Sequence, residues 1–435
     1  MRILIVSYFF SPFNVIGAVR VSKLAEYWAS KGHDVLVLSA KNQPLPKALY
    51  SKFSKKHVVY TNWININYLP ERIMGGRKAI SSRGFDTNNS FLKVMGHIYK
   101  SIFNFPDGQI GWFPYASCAG SKIISDGWKP DLIYASASPV TSFLIASRLS
   151  RKFSIPWVAE YRDLWTDNHN YNHPNWRLFL ESVIENKIIK SASALVTVSK
   201  PLAKVLLAKQ KKPTKVVMNG FDHHDYDSKR ATNYFSNKKL NIVYTGMIYP
   251  SKQDPTPFLE ALNKPEFKKH ISVYFFGRYL GYINSLAKKY KLQNVVRVFD
   301  SISHEKAILM QQSADILLFL AWNDKNNKGV LTGKLFEYFG ARHPILAIGS
   351  HPGLAGKFIL ERNAGLVTDN ILIIEKQLRK WIKDKTLRKK SFKLKSIVSK
   401  GLSRSEQFEK LDHFLIAHNL MTKKFTTKAQ IKKRW

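Results

Sequence analysis

Residues 2–7 form a short apolar run rich in Ile and Val, followed by a turn-rich segment over residues 9–17. A helical pattern then places Val21, Leu24, Ala25 and Trp28 on one face, and Gly32 stops it where a left-handed cap is wanted. Residues 35–38 read as the next buried strand. The same β-α-β alternation recurs with DLIYAS from Asp131, a helical stretch over residues 140–152, PWVAEY from Pro156 and ALVTVS from Ala194. Buried strands alternating with helices predict a parallel sheet covered on both faces.

The pattern breaks after Asn219, where NGFDHHDYDSKRATNYFSNKK is polar and without period. It resumes with NIVYTG from Asn241, SVYFFG from Ser272, VVRVFD from Val295, DILLFLA from Asp315 and PILAIG from Pro344. We therefore expect an α/β chain of two doubly wound, Rossmann-like domains facing each other across a cleft. The expected parts are an N-terminal domain over 1–219, a linker over 220–240, a C-terminal domain over 241–400, and a helix with a basic tail over 401–435 that returns to the N-terminal domain. Ligands of such sheets bind beyond the carboxyl ends of the strands.

Charge narrows the partners. Lys and Arg number 69 against 30 Asp and Glu, a formal net charge of +39 over 435 residues, while 45% hydrophobic and 23% charged residues describe a globular chain. So basic a protein meets something acidic: nucleic acid, an anionic membrane face or a phosphorylated substrate. Dense runs such as KDKTLRKKSFKLKS and KKFTTKAQIKKRW read equally as solvated faces. The single cysteine, Cys118, leaves no intrachain disulfide or Cys-based zinc site and fits a reducing cytoplasm. Ser11 and Pro12 interrupt the apolar opening, so neither a membrane span nor a signal peptide is expected.

The stretch GVLTGKLFEYFGARHPIL from Gly329 carries the most chemistry. It follows a buried strand, and Thr332 with Gly333 opens a helix containing Lys334 and Glu337 at i and i+3. Backbone N–H groups and a lysine at a helix start suit a phosphate, and a carboxylate suits vicinal ribose hydroxyls; an amphipathic core helix with an incidental ion pair is the plain alternative. AEYRDLW sets Glu160, Arg162 and Asp163 just past a buried strand, as acceptor-orienting or charge-stabilising groups, or as a structural ion pair. Asp225-Tyr226-Asp227 matches a D-x-D metal pattern but lies in the polar linker, and His223 and His224 have no spaced third ligand, so no metal site is assigned. Phe91, Met95, Ile98, Ile102 and Phe105, with Lys93 and Lys100, form either a basic amphipathic helix on a membrane or a helix packed on the core.

GKLFEYFGARHPIL resembles the nucleotide-sugar signature of the family 4 glycosyltransferases, retaining enzymes of GT-B fold. In the same order, YFFSPFNVIGAVRVSKLAEYWASKGHDVLVL, SASPVTSFLIASRLSRKFSIPWVAEYRDLW, ALVTVS with VVMNGFD, and NIVYTGMIYPSKQDP resemble the family's other segments, the second as found in bacterial cell-surface polysaccharide enzymes of the O-antigen and capsule type. The resemblance implies that Glu337 binds the nucleotide ribose and that Lys252, six residues after Gly246, contacts the donor diphosphate. Met247 stands where an arginine is usual, leaving Lys334 or Arg278 to substitute, and Gly329 stands where the family often has a second glutamate. The amides of Thr332, Gly333 and Lys334 would hold the sugar or phosphates, Leu335 would belong to the same donor site, and Gly17 would approach the donor phosphate and acceptor.

The activity so implied is transfer of a sugar, without metal or other cofactor, from a nucleotide diphosphate sugar, expected to be UDP-linked, to a polyprenyl-diphosphate-linked or other saccharide acceptor. The enzyme would be cytoplasmic, held peripherally on the anionic inner face of the cell membrane, with no specific nucleic-acid partner. Two alternatives stay open: a nucleotide-sugar epimerase on the same scaffold, and a basic nucleic-acid-binding protein, against which the Lys and Arg show no interleaved RNA-reading or groove-entering motif.

Overall fold

In the computed structural model the described residues are 1–68, 99, 101–168, 173–226, 234–250, 252–278, 280–322, 329, 331–349, 353–387 and 392–422. The chain divides into two units, Met1–Val217 with Phe408–Trp435, and Met218–Gln407.

The first unit is built on a seven-stranded sheet of order β3-β2-β1-β4-β5-β6-β7, in which every pairing is parallel. Its strands are β1 (Arg2–Val6), β2 (Asp34–Ala40), β3 (Val58–Thr61), β4 (Leu132–Ala137), β5 (Trp157–Tyr161), β6 (Ala194–Thr197) and β7 (Thr214–Val216). Helices α1 (Ile16–Ser30), α2 (Phe113–Ser125), α3 (Thr141–Phe153), α4 (Asn175–Ile189) and α5 (Lys200–Gln210) connect them. Strands β1 and β4 are buried along nearly their whole length, because helices cover both faces. On one face Leu4, Phe143, Leu149 and Trp157 pack together, and on the other Ile3, Val21, Leu24 and Trp28 do.

The second unit repeats the plan with a six-stranded parallel sheet of order β10-β9-β8-β11-β12-β13. Its strands are β8 (Leu240–Thr245), β9 (Ile271–Phe276), β10 (Val296–Phe299), β11 (Ile316–Leu320), β12 (Ile345–Ile348) and β13 (Gly365–Val367). Its helices are α6 (Thr256–Ala261), α7 (Pro265–His270), α8 (Gly281–Lys289), α9 (His304–Ser313), α10 (Gly333–Ala341), α11 (Leu354–Glu361) and α12 (Ile371–Thr386). Strand order reverses beside β1 in the first sheet and beside β8 in the second, which puts the switch points at β1/β4 and β8/β11.

A last helix, α13 (Arg404–Ala417), lays Phe408, Leu411 and Leu415 into the α1 face of the first sheet. There Asp412 accepts hydrogen bonds from Tyr27 Oη at 3.0 Å and Trp28 Nε1 at 2.8 Å. Phe221, inside the segment read as linker, is buried in the second unit. Among the described residues no helix is long and apolar enough to cross a membrane. Phe91, Met95, Ile98, Lys93, Lys100, Asp227 and the tail from residue 423 lie outside the described residues.

Candidate active site

The second sheet presents Gly246 directly after β8 and the start of α10 after β11, at the switch point. Gly246 has φ +115°, a conformation that favours glycine, and its N–H donates to Phe276 O at 2.7 Å. A Cβ there would sit 3.0 Å from both Cε and Nζ of Lys334, so the lysine lies against bare backbone. Lys334 Nζ also lies 3.7 Å from the centroid of the Tyr244 ring. Burial lowers its pKa to about 7, against the opposing pull of the Glu337 carboxylate. An ammonium so poised gains most from an incoming anion.

Glu337, one turn further along α10, is held from two sides. His304 Nε2 is 3.2 Å from Oε1, and Gln311 Nε2 donates to Oε2 at 3.0 Å, both from α9. Burial pushes the carboxyl up, but these hydrogen bonds outweigh it and leave the pKa below its ordinary value; the same contact raises the His304 pKa. Tyr226 Oη donates to the backbone oxygen of Glu337 at 2.9 Å and steadies the helix from the far side. The carboxylate is therefore ionised, oriented and partly accessible, with 21% of its side chain exposed.

Thr332 caps α10 in extended geometry, yet its buried Oγ1 has no hydrogen-bond partner. Gly333 opens the helix, Leu335 is fully buried in the core below it, and Gly329 is buried in the segment leading in. Lys252, in the loop after β8, sets its Nζ 4.5 Å from the Trp322 ring centroid. Arg278 is exposed in the turn after β9. Lys334, Glu337, Gly246, Thr332 and Gly333 thus gather at one sheet end. Sequence reasoning missed His304 and Gln311, both on α9, and Tyr244 on β8, because none of them is near α10 in the chain.

In the first unit, Gly17 lies in the first turn of α1 beside the Arg162 guanidinium; a Cβ on Gly17 would fall 2.0 Å from Arg162 Nη1. Arg162 donates from Nε to Ala137 O at 3.1 Å and from Nη2 to Ser138 O, while its buried Nη1 has no hydrogen-bond partner. Asp163 is exposed next to it. Glu160 corrects the expectation that placed it past the strand: it lies within β5, 1% exposed. Its Oε1 accepts from Arg20 Nη2 at 2.8 Å and Tyr134 Oη at 2.6 Å, and its Oε2 from Ser136 Oγ at 2.6 Å. Burial opposes both charges, but their attraction holds the Glu160 pKa below and the Arg20 pKa above their ordinary values. A central strand covered on both faces offers this carboxylate no exposed side, and only a paired charge is tolerated there. Among the described residues no three His, Cys, Asp or Glu side chains gather as a metal-holding group, and His223 and His224 stand apart from one.

Residues 17–225 match the family model Glycosyltransferase Family 4. No curated protein matches the chain in sequence. Among solved structures, Anabaena HepE in complex with UDP is similar at TM-score 0.63 and 12% identity, over 96% of this chain and 100% of that one. Sucrose-phosphate synthase from Thermosynechococcus elongatus is similar at TM-score 0.57 and 14% identity, over 96% of each chain. The lipopolysaccharide outer core galactosyltransferase WaaB is similar at TM-score 0.55 and 12% identity, over 96% of this chain and 99% of that one. Likeness at such identities carries the fold, which is GT-B.

Proposed function

We propose that this chain, a glycosyltransferase by its family match and fold, moves a sugar from a UDP-linked donor to a lipid-linked saccharide in cell-surface polysaccharide synthesis, with retention at the anomeric carbon. The observation that carries the donor half is the α10 start at the switch point. There an oriented carboxylate, Glu337, and a poised ammonium, Lys334, sit beside the bare backbone of Gly246. Glu337 would accept hydrogen bonds from the ribose hydroxyls, and Lys334 with Lys252 would take the diphosphate, aided by N–H groups at Thr332 and Gly333. Complexes of HepE with UDP and with UDP-glucose support UDP as the base to try first.

In the transfer, the bond between the anomeric carbon and the β-phosphate oxygen breaks. A bond from that carbon to the acceptor hydroxyl forms on the same face, and the hydroxyl proton passes to the departing phosphate. Lys334 and Lys252 would offset the charge growing on that leaving group, which makes the reaction metal-independent in this reading. In the first unit Arg162, with its spare Nη1 beside the start of α1, would hold an acceptor phosphate, and Asp163 would orient the attacking hydroxyl. Glu160 would act through Arg20 and the strand rather than on substrate.

A thermal-shift panel of UDP, GDP, ADP and their sugars tests the donor site. A bound nucleotide at about 100 times its Kd adds about 2.7 kcal/mol of stability. UDP should shift the wild type, with or without EDTA, and should not shift Glu337→Ala. An equal shift in both proteins would refute the assignment.

A further inference from the structure

Helix α4 is built inside out. Its inward face carries charge: Arg177, Glu181 and Glu185 are at most 1% exposed. Arg177 Nε lies 2.6 Å from Glu181 Oε1, Glu181 Oε2 accepts from Trp165 Nε1 at 2.9 Å, and Glu185 accepts from Tyr161 Oη at 3.0 Å and Lys209 Nζ at 2.8 Å. With Ile188 and Ile189 packed in the core at its carboxyl end and this polar network facing inward before them, the helix turns its large aromatic and several other apolar side chains outward. Trp176, Phe179, Leu180 and Val183 are 50%, 69%, 45% and 53% exposed. Their i, i+3, i+4, i+7 spacing makes one continuous stripe. The same stripe runs on into Lys187 and Lys190, both exposed.

Further exposed apolar residues lie in the segment held against α4. Arg177 Nη2 donates to Asn104 O at 2.5 Å and Pro106 O at 3.1 Å, which ties the segment bearing Ile102 and Phe103, 54% and 56% exposed, to the amino end of α4. Folding gains nothing from four large apolar residues in water, and patches of this kind mark interaction sites. The occupant must be apolar where the stripe is apolar and anionic where the lysines stand. A second copy of a chain carrying +39 brings the wrong charge to that rim.

We propose that the outer face of α4 is a membrane-docking surface that takes an anionic lipid bilayer. The helix lies in the plane of the interface, Trp176 and Phe179 enter the acyl boundary, and Lys187 and Lys190 meet headgroup phosphates. This gives a lipid-linked acceptor a surface on which to be met, and in that sense rests on the reading above. The docking itself is independent of which saccharide is used.

The test is flotation of the purified protein with vesicles of phosphatidylcholine containing phosphatidylglycerol, free of any carrier lipid. The wild type should float with these vesicles and much less with pure phosphatidylcholine. Trp176→Ala with Phe179→Ala should weaken the partition constant by about tenfold or more, given the apolar area withdrawn. Lys187→Glu with Lys190→Glu, wholly on the surface, should lose the preference for phosphatidylglycerol. Equal flotation of wild type and both double variants, or none by the wild type, would overturn the proposal. So would a wild-type dimer in sedimentation that the apolar variant dissolves while its flotation stays unchanged. Unaltered thermal unfolding and an unaltered UDP shift in the variants show that the change is at the membrane face, and a missing UDP shift with normal flotation would instead refute the donor reading alone.

Discussion

The two sheets share one strand order apart from the extra edge strand β7 of the first, and each sets a glycine against a cationic side chain at its switch-point end, but the cations are kept in opposite states. In the first unit Arg162 is anchored to the carbonyls of Ala137 and Ser138, near the buried Glu160–Arg20 pair. In the second, Lys334 rests on an aromatic ring with its pKa brought down to about 7. A guanidinium stays charged whatever surrounds it, whereas an ammonium in the same kind of place becomes an adjustable charge. One end is suited to a fixed anchor and the other to a group whose charge grows during reaction.

The contrast is broken most severely from the first unit. Arg20→Ala leaves the Glu160 carboxylate buried without its ion-pair partner and should cost about 3–5 kcal/mol in chemical denaturation. Because the folded-state pKa of Glu160 is depressed, the pair's contribution is full above the ordinary carboxylate range and fades as pH falls through the lowered pKa. Lys334→Met should do the reverse, changing stability by less than about 1 kcal/mol, since the lysine is already half neutral near pH 7. Its effect should appear in UDP affinity, weakened by about thirty- to a hundredfold for one lost charged contact. A large stability loss in Lys334→Met would erase the distinction.

A finer probe is Gly17→Ala. The added methyl collides with Arg162 Nη1, whose Nε and Nη2 are already committed, so the guanidinium must shift. Turnover should fall about tenfold or more through misplacement, with the UDP dissociation constant untouched. A matching loss of UDP affinity would mean that the first-unit cation also grips the donor.

What was legible in the chain were features written locally. The strands with unbroken apolar runs, the α1 stripe ending at Gly32, and the α10 start with Lys334 and Glu337 on one face all depend on neighbours within a few residues. The edge strands β3, β7 and β13 were missed, being three or four residues long and half-buried, without the run that marks a central strand. The partners of Glu337 were missed for another reason: His304 and Gln311 lie 33 and 26 residues away, and nothing near them signals the contact. Glu160 meets Arg20 across 140 residues, so its burial and its partner are visible only once β5 is paired on both sides. Helix α4 shows the limit of periodicity most clearly, because a stripe of Trp, Phe, Leu and Val names an apolar face without saying which way it points.

The central claim, that Lys334 and Glu337 grip a nucleoside diphosphate, is tested most directly by calorimetric titration of UDP between pH 7 and 9. There a terminal phosphate with a pKa of about 6 is already ionised. Binding should weaken by up to about tenfold per pH unit as free Lys334 loses its proton, with uptake of up to one proton on binding, and Lys334→Met should bind weakly with no such slope. A wild-type affinity that is flat across this range and equal to that of Lys334→Met would contradict the account.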